Sequence, residues 1–282
     1  MERSADLLAR LTGRLGADSA AELLRVLAAL RGGAEGILRE SLTGVHLTGS
    51  FAAGHGDEAS DVDFLVVADR SPTPGEEGRI RRFHAAFPDR AERWASRLEG
   101  SWVDVEALRD PVGAHEPWLY VDNGSREMEH SRHDDTWNGR WTLRETGVAL
   151  AGPSAAALVP PVARGLIRAE AVVQAAAKAA WIREDPAALS DGWARPYVVL
   201  TLCRLLWSAT TGTVAGKSEA AEWALRGPAP ERFHDLLRAA IVQRLHVVDP
   251  ALGGADARWA GIAEEFVVWA HAETARRAEE RP

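Results

Sequence analysis

Leu47-Thr48-Gly49-Ser50-Phe51-Ala52-Ala53-Gly54, followed by Asp61-Val62-Asp63-Phe64-Leu65-Val66-Val67, is the stretch on which the reading of the fold turns. Val45-His46-Leu47-Thr48 reads as a short strand ending at Gly49. Ser50 then opens a short helix, and the free backbone N–H groups at such a start favour an anion, typically a phosphate. Asp61 to Val67 is rich in Val, Phe and Leu and reads as a second strand. A period of two puts Asp61 and Asp63 on one face, with Val62 and Phe64 on the other. Two carboxylates so close repel unless a cation sits between them. A hard divalent ion with oxygen ligands, Mg²⁺ especially, meets that need.

Downstream, Trp102 to Leu108 reads as a third strand. Within it Val103-Asp104-Val105-Glu106 repeats the device, with Asp104 and Glu106 on a shared face. Laid beside Asp61 and Asp63, this strand would bring three or four carboxylates together. Asp61, Asp63 and Asp104 would then ligate one or two Mg²⁺ ions, and Asp104 or Glu106 would serve as general base against a hydroxyl nucleophile. A plain solvent-facing strand would show the same alternation.

The rest of the chain divides by texture. Residues 4–30 carry leucines at helical spacing, with Gly13 and Gly16 as possible interruptions and Gly32-Gly33 as the stop. Residues 76–98 read as a helix with a break at Pro88. Residues 109–140 have no assignable pattern; His130, His133, Asp134 and Asp135 cluster there as a solvated loop or a metal site. Trp137 and Trp141 follow, suited to core packing or to stacking on a base. After Gly152-Pro153 the chain becomes Ala/Leu-rich with helical spacing over 160–182, 197–210, 218–226, 230–246 and 256–277, punctuated by Gly212, Gly227-Pro228 and Gly253-Gly254. The expectation is an α/β domain over residues 1–152 and a helical domain over 153–282.

Composition narrows the classes. Lys+Arg number 33 against 41 Asp+Glu, a net charge of -8, which argues against a dedicated nucleic-acid binder and favours a cationic small-molecule partner. The single cysteine, Cys203, excludes a disulfide framework and a thiolate zinc site within the chain. The N-terminal stretch has no signal-peptide core and no run is long enough to span a membrane, so the expected location is the cytoplasm.

Gly49-Ser50 followed by Asp61-x-Asp63 resembles the signature of the nucleotidyltransferase superfamily, the polymerase-β-like fold. Val198-Val199-Leu200-Thr201-Leu202-Cys203-Arg204, Ser208-Ala209 with Thr211-Gly212, and Lys217-Ser218-Glu219-Ala220-Ala221-Glu222-Trp223-Ala224-Leu225 resemble aminoglycoside adenylyltransferases of the streptomycin/spectinomycin 3''-(9) type. Leu150-Ala151-Gly152-Pro153, where the domains join, fits as well. The resemblance implies an α/β (α+β) nucleotidyltransferase domain with a mixed sheet, then an all-α helical bundle. It also implies transfer of AMP from ATP to a drug hydroxyl, with release of pyrophosphate and with the substrates in the cleft between the domains. Carried over by position, Gly49 and Ser50 hold a triphosphate oxygen, Asp61 and Asp63 bind Mg²⁺, and Arg204 and Lys217 reach the ATP phosphates. Arg204 lies in an apolar helix, where either an anionic ligand or Glu219 or Glu222 would satisfy it. The family's catalytic base is a glutamate in a Val-Glu-Val context, and Val103-Asp104-Val105 stands there, with Glu106 the alternative.

The drug-binding positions depart from the family. Its tryptophan and aspartate before the Val-Val-Leu-Thr block are represented by Asp191-Gly192-Trp193-Ala194, with Ala194 where the aspartate falls. Val242 or Gln243 stands near the place of a family tyrosine. A different small hydroxylated metabolite, a protein acceptor, or a catalytically inactive nucleotide-binding regulator are the alternatives that these departures keep open.

Overall fold

A computed structural model describes residues 2–247, 249 and 257–280; the Gly253-Gly254 turn and the expected helix start at 256 lie outside them. The chain divides into two compact units, Met1–Pro161 and Val162–Pro282. The division falls after Pro161 because Ala155–Leu158, expected to open the second domain, buries Ala155, Leu158 and Val159 against Leu65, Val67 and Val103 of the first.

The first unit contains α1 (Glu2–Leu15), α2 (Ala17–Leu38), β1 (Leu42–Leu47), α3 (Gly49–Ala53), β2 (Val62–Ala68), α4 (Pro74–Ala86), β3 (Leu98–Asp104) and α5 (Val105–Arg109). It continues through β4 (Trp118–Val121), β5 (Met128–Ser131), α6 (Trp137–Thr146), β6 (Val148–Ala151) and α7 (Ala155–Leu158). The leading helix is two helices, broken at Gly16 with φ of 78°. Gly32 and Gly33 do not stop α2, which runs on to Leu38. Gly33 is a packing position: a Cβ there would lie 2.2 Å from the Phe83 ring.

The six strands form one mixed sheet in the order β5-β4-β3-β2-β1-β6. Only β2 and β3 run parallel, with Val62 opposite Leu98 and Ala68 opposite Asp104; the other pairs are antiparallel. Both faces of β2 are covered. Val62, Phe64 and Val66 pack with Leu23, Leu27 and Leu30 of α2 and Ile80 of α4. Leu65 and Val67 pack with Leu108, Leu143 and Leu158 of α5, α6 and α7. Near-continuous apolar character beyond Asp63 follows from this two-sided burial.

Further segments differ from the sequence reading, and Asp61, expected on the second strand, precedes β2, which begins at Val62. The 76–98 helix ends at Ala86, and short 3₁₀ turns carry the chain to β3. The third strand is Leu98–Asp104, so the expected strand over 102–108 is displaced toward the N-terminus and ends where α5 begins. Gly100 lets β3 lie tight on β2, since a Cβ on it would meet the Phe64 carbonyl oxygen at 2.1 Å.

The second unit is helical: α8 (Arg164–Glu184), α9 (Ala194–Thr211), α10 (Lys217–Arg226), α11 (His234–Gln243) and α12 (Ala260–Glu279). α9 is its centre, with Val198, Val199, Leu202, Cys203 and Leu206 buried and α8, α10, α11 and α12 packed around it. Arg195 is fully buried and donates to Leu189 O and to Gln243 Oε1 at 3.3 and 3.0 Å. Among the described residues no helix is long and apolar enough to cross a membrane.

Candidate active site

One face of the sheet in the first unit changes character along its length. At the end nearer Ala68 it is the apolar layer of Leu65, Val67 and Val103. One pleat back from Leu65 stands Asp63, and the parallel register sets Asp63 beside Glu99. Ser101 follows on β3, paired with Tyr120 on β4. This end of the face therefore carries Asp63, Glu99, Ser101 and Tyr120 on neighbouring strands, because register partners share a side.

Each member has a definite engagement. Asp61 Oδ1 accepts from Asn123 Nδ2 at 2.6 Å. The Asp63 carboxylate lies over Gly49, where a Cβ would come within 1.9 Å of Oδ2 and where φ is 62°. Only glycine meets both demands without strain. Glu99 Oε1 accepts from the buried Tyr120 hydroxyl at 2.9 Å, with Asp122 Oδ1 a longer second acceptor for that hydroxyl at 3.2 Å. His133 Nε2 lies 3.2 Å from the same Glu99 oxygen, and its ring stacks on Tyr120 at 4.7 Å. Ser101 Oγ donates to Asp134 Oδ2 at 2.7 Å.

The electrostatics follow. Burial, then the charge of Glu99, raises the Tyr120 pKa, so its hydroxyl stays a donor at neutral pH. The bond to Glu99 raises the pKa of His133. Burial raises the pKa of Asp134, partly offset by the Ser101 bond and by His133. Glu99 is thus held by two donors at one oxygen.

The structure does not bring Asp104 or Glu106 into this cluster. Asp104 lies opposite Ala68, five residues along β2 from Asp63, roughly 16 Å away at strand rise. It caps α5: Oδ1 accepts from Ala107 N at 2.8 Å and Oδ2 from Ser71 Oγ at 2.7 Å. Glu106 is in α5 rather than on a strand, exposed, and paired with Arg109 at 3.2 Å. The shared acidic face expected of them dissolves because the strand ends at Asp104. Glu99, which sequence reading assigned to no role, is the carboxylate in register. Its signal lies in Leu98-Glu99-Gly100-Ser101-Trp102-Val103, but Glu99-Gly100-Ser101 falls between the helix read over 76–98 and the strand read from Trp102.

The 130–135 cluster splits. His133 and Asp134 join the acidic end of the sheet. Asp135 turns inward to Arg140 at 2.7 Å, and His130 lies 3.3 Å from Glu77. Trp137 packs against the Arg140 guanidinium. Among the described residues no set of three or more His, Cys, Asp or Glu side chains converges as a ready-made metal cage. The donor chemistry fits Mg²⁺ nonetheless, since that ion typically takes one or two protein carboxylates and completes its shell with water and substrate phosphate oxygens. Asp61 and Asp63 are suitable oxygen donors of that kind.

In the second unit, Arg204 is half-buried on α9 and Lys217 is the first residue of α10. Lys217 Nζ lies 4.8 Å from the centre of the Tyr197 ring. Asp191 Oδ1 accepts from the backbone N–H groups of Trp193 and Ala194, so it closes the start of α9.

Comparison with known proteins adds two domain matches. Residues 34–93 match the family model described as nucleotidyltransferase domain, and residues 162–271 that described as aminoglycoside adenylyltransferase, C-terminal domain. The chain thus joins a nucleotidyltransferase domain to a C-terminal domain like that of aminoglycoside adenylyltransferases, and it is an enzyme of the nucleotidyltransferase type. It is 29% identical over 224 residues to aminoglycoside (3'') (9) adenylyltransferases of Shigella flexneri and Escherichia coli, spanning 73% of this chain and 79% of each relative. The crystal structure of spectinomycin adenyltransferase AAD(9) from Enterococcus faecialis, with ATP and spectinomycin, matches with a TM-score of 0.64 at 14% identity. The match covers 89% of this chain and 99% of that one. It agrees with a mixed-sheet nucleotidyltransferase domain followed by a helical domain. The nucleotidyltransferase match takes in Gly49, Ser50, Asp61 and Asp63 but ends before Glu99.

Proposed function

We propose that this enzyme transfers AMP from ATP to a hydroxyl of an aminoglycoside-type antibiotic, in the streptomycin/spectinomycin class, releasing pyrophosphate, and that it works in the cytoplasm. The observation that carries the reading is the pairing of Asp63 with Glu99 beside Gly49, in a chain whose relatives are named adenylyltransferases.

Asp61 and Asp63 would hold Mg²⁺, which when bound neutralises charge on the phosphates and the leaving pyrophosphate. Gly49 and Ser50 receive a triphosphate oxygen, and Arg204 and Lys217 meet the phosphates from the helical unit. Glu99 is the general base in place of Asp104 and Glu106. Tyr120 and His133 occupy its Oε1, which leaves Oε2 to take the proton of the acceptor hydroxyl. The oxygen so freed attacks the α-phosphorus. A new O–P bond forms, the bond between the α-phosphorus and the β-bridging oxygen breaks, and pyrophosphate departs with the electron pair. The acidic face favours a cationic acceptor.

A second reading has specific support. Ala194, and Val242 or Gln243, stand where the resemblance places drug contacts, so another small hydroxylated molecule or a protein is the alternative acceptor; an inactive nucleotide-binding regulator is the non-enzymatic one. The test is pyrophosphate release from Mg-ATP with a panel including streptomycin and spectinomycin, wild type against Asp61→Ala/Asp63→Ala. Release that needs one drug and vanishes in the variant supports the reading. ATP binding without release for any drug moves the acceptor to another class, and failure to bind Mg-ATP discards it.

A further inference from the structure

The sequence contains only two lysines, Lys178 and Lys217, among its 33 basic residues. They are far apart in the chain, on α8 and at the first position of α10, yet both reach the same side chain. Lys178 Nζ lies 4.9 Å and Lys217 Nζ 4.8 Å from the centre of the Tyr197 ring on α9. Trp193 stacks on that ring at 5.0 Å and 9° between planes, and remains 52% exposed. Lys178 also lies 5.6 Å from the Trp181 ring.

The polar details are directional. Lys178 Nζ donates to the Tyr197 hydroxyl oxygen at 3.1 Å. The hydroxyl hydrogen therefore points elsewhere, and among the described residues it meets no acceptor. Lys178 itself forms no ion pair among the described residues. Lys217 opens a ten-residue helix, so its ammonium adds to the partial positive charge of that helix end. Two half-buried ammonium groups, each within 5 Å of the same ring centre, bring like charge into one neighbourhood. Aromatic faces relieve part of this, and an anion relieves more.

We propose that Lys178, the Tyr197 hydroxyl and Lys217 form one polyphosphate-binding site of the helical unit, and that it takes the phosphate chain of the nucleotide. The proposal rests on the nucleotidyl-transfer reading for the identity of the anion and extends it by two residues, Lys178 and Tyr197. The lysines contribute charge. Tyr197 supplies a donated hydrogen bond, and Trp193 shields one side of the ring. Arginines serve everywhere else in the chain, and a compact ammonium fits beside a ring and a hydroxyl where a planar guanidinium would need a wider fork.

The test is calorimetric titration of the full chain with ATP, inorganic pyrophosphate and adenosine. Lys178→Met keeps the aliphatic stem and removes the charge, and Lys178→Arg keeps the charge. Thermal melting confirms that each variant is folded. The expected result is a loss of ATP and pyrophosphate affinity of about tenfold or more for Lys178→Met, the scale of a charge-assisted bond, with adenosine unaffected. Tyr197→Phe loses severalfold, and Lys178→Arg recovers much of the loss. Equal ATP and pyrophosphate affinities in wild type and Lys178→Met would overturn the proposal, whatever the transfer assay gives. Conversely, if Lys178→Met weakens both phosphate ligands but no acceptor is adenylylated, the site stands and the transfer reading falls.

Discussion

Two acidic stretches bracket β3, and they have opposite fates. Glu99 at its start lies beside Asp63, takes bonds from Tyr120 and His133, and belongs to a polar sheet end built from three strands. Asp104 and Glu106 at its end carry the same charge, yet one caps a helix and the other pairs with Arg109 on the surface. Composition does not separate them. Register does: a parallel pairing that sets Val62 opposite Leu98 fixes which carboxylate meets the Asp-x-Asp strand.

The comparison breaks or holds first on Glu99. Glu99→Gln keeps the shape and removes the base, so kcat should fall by about 10²–10⁴-fold with ATP affinity little changed, as single-turnover and binding measurements would show. An equal loss from Asp104→Asn, with Glu99→Gln active, would reverse the assignment. Gly49→Ala comes next. A Cβ there collides with the Asp63 carboxylate and strains a residue at φ of 62°, so adenylyl transfer should be nearly lost while the chain still folds. Circular dichroism beside the activity assay separates the two effects.

A third outcome concerns the other face of the sheet. His84 is buried against Phe64 and accepts from Trp102 Nε1 at 2.9 Å, and burial lowers its pKa to about 3. Burial lowers that of His46 as well, although its bond to Pro153 O opposes this. Neutral histidine is favoured in the folded state, so the unfolded chain binds more protons below pH about 6.5. Stability from His84 is complete above that value and is lost as pH falls toward about 3. Melting temperature should therefore drop across this window, and His84→Phe should make the drop shallower.

Much of this was legible in the residues themselves. Asp63 on the second strand, the Gly49-Ser50 turn and the five Ala/Leu-rich helices all rest on local patterns, and local patterns survive folding. What escaped was non-local. Glu99 sits in Leu98-Glu99-Gly100-Ser101-Trp102-Val103, where a glycine and a serine dilute the strand signal, so the strand is read only from Trp102. The partner that makes Glu99 matter, Tyr120, is on a four-residue strand in a stretch of mixed character, and only the ladder joins them. His133 likewise reads as a loop residue until its ring is seen on Tyr120.

The two smallest effects sharpen the other end of β3. Asp104→Ala removes the cap of α5 and should cost about 0.5–2 kcal/mol in chemical denaturation, with turnover close to wild type. Glu106→Gln breaks an exposed pair and should move stability by no more than about 0.5 kcal/mol and activity not at all.

The paucity of lysine has a practical side. All side-chain amines of the protein are gathered around Tyr197, so a reagent that acylates amines reads out one neighbourhood instead of averaging over a surface. Lysine modification, followed by peptide mass mapping, becomes a footprint with two positions. Their relative protection by different small molecules would report what lies against that ring without any substitution in the chain.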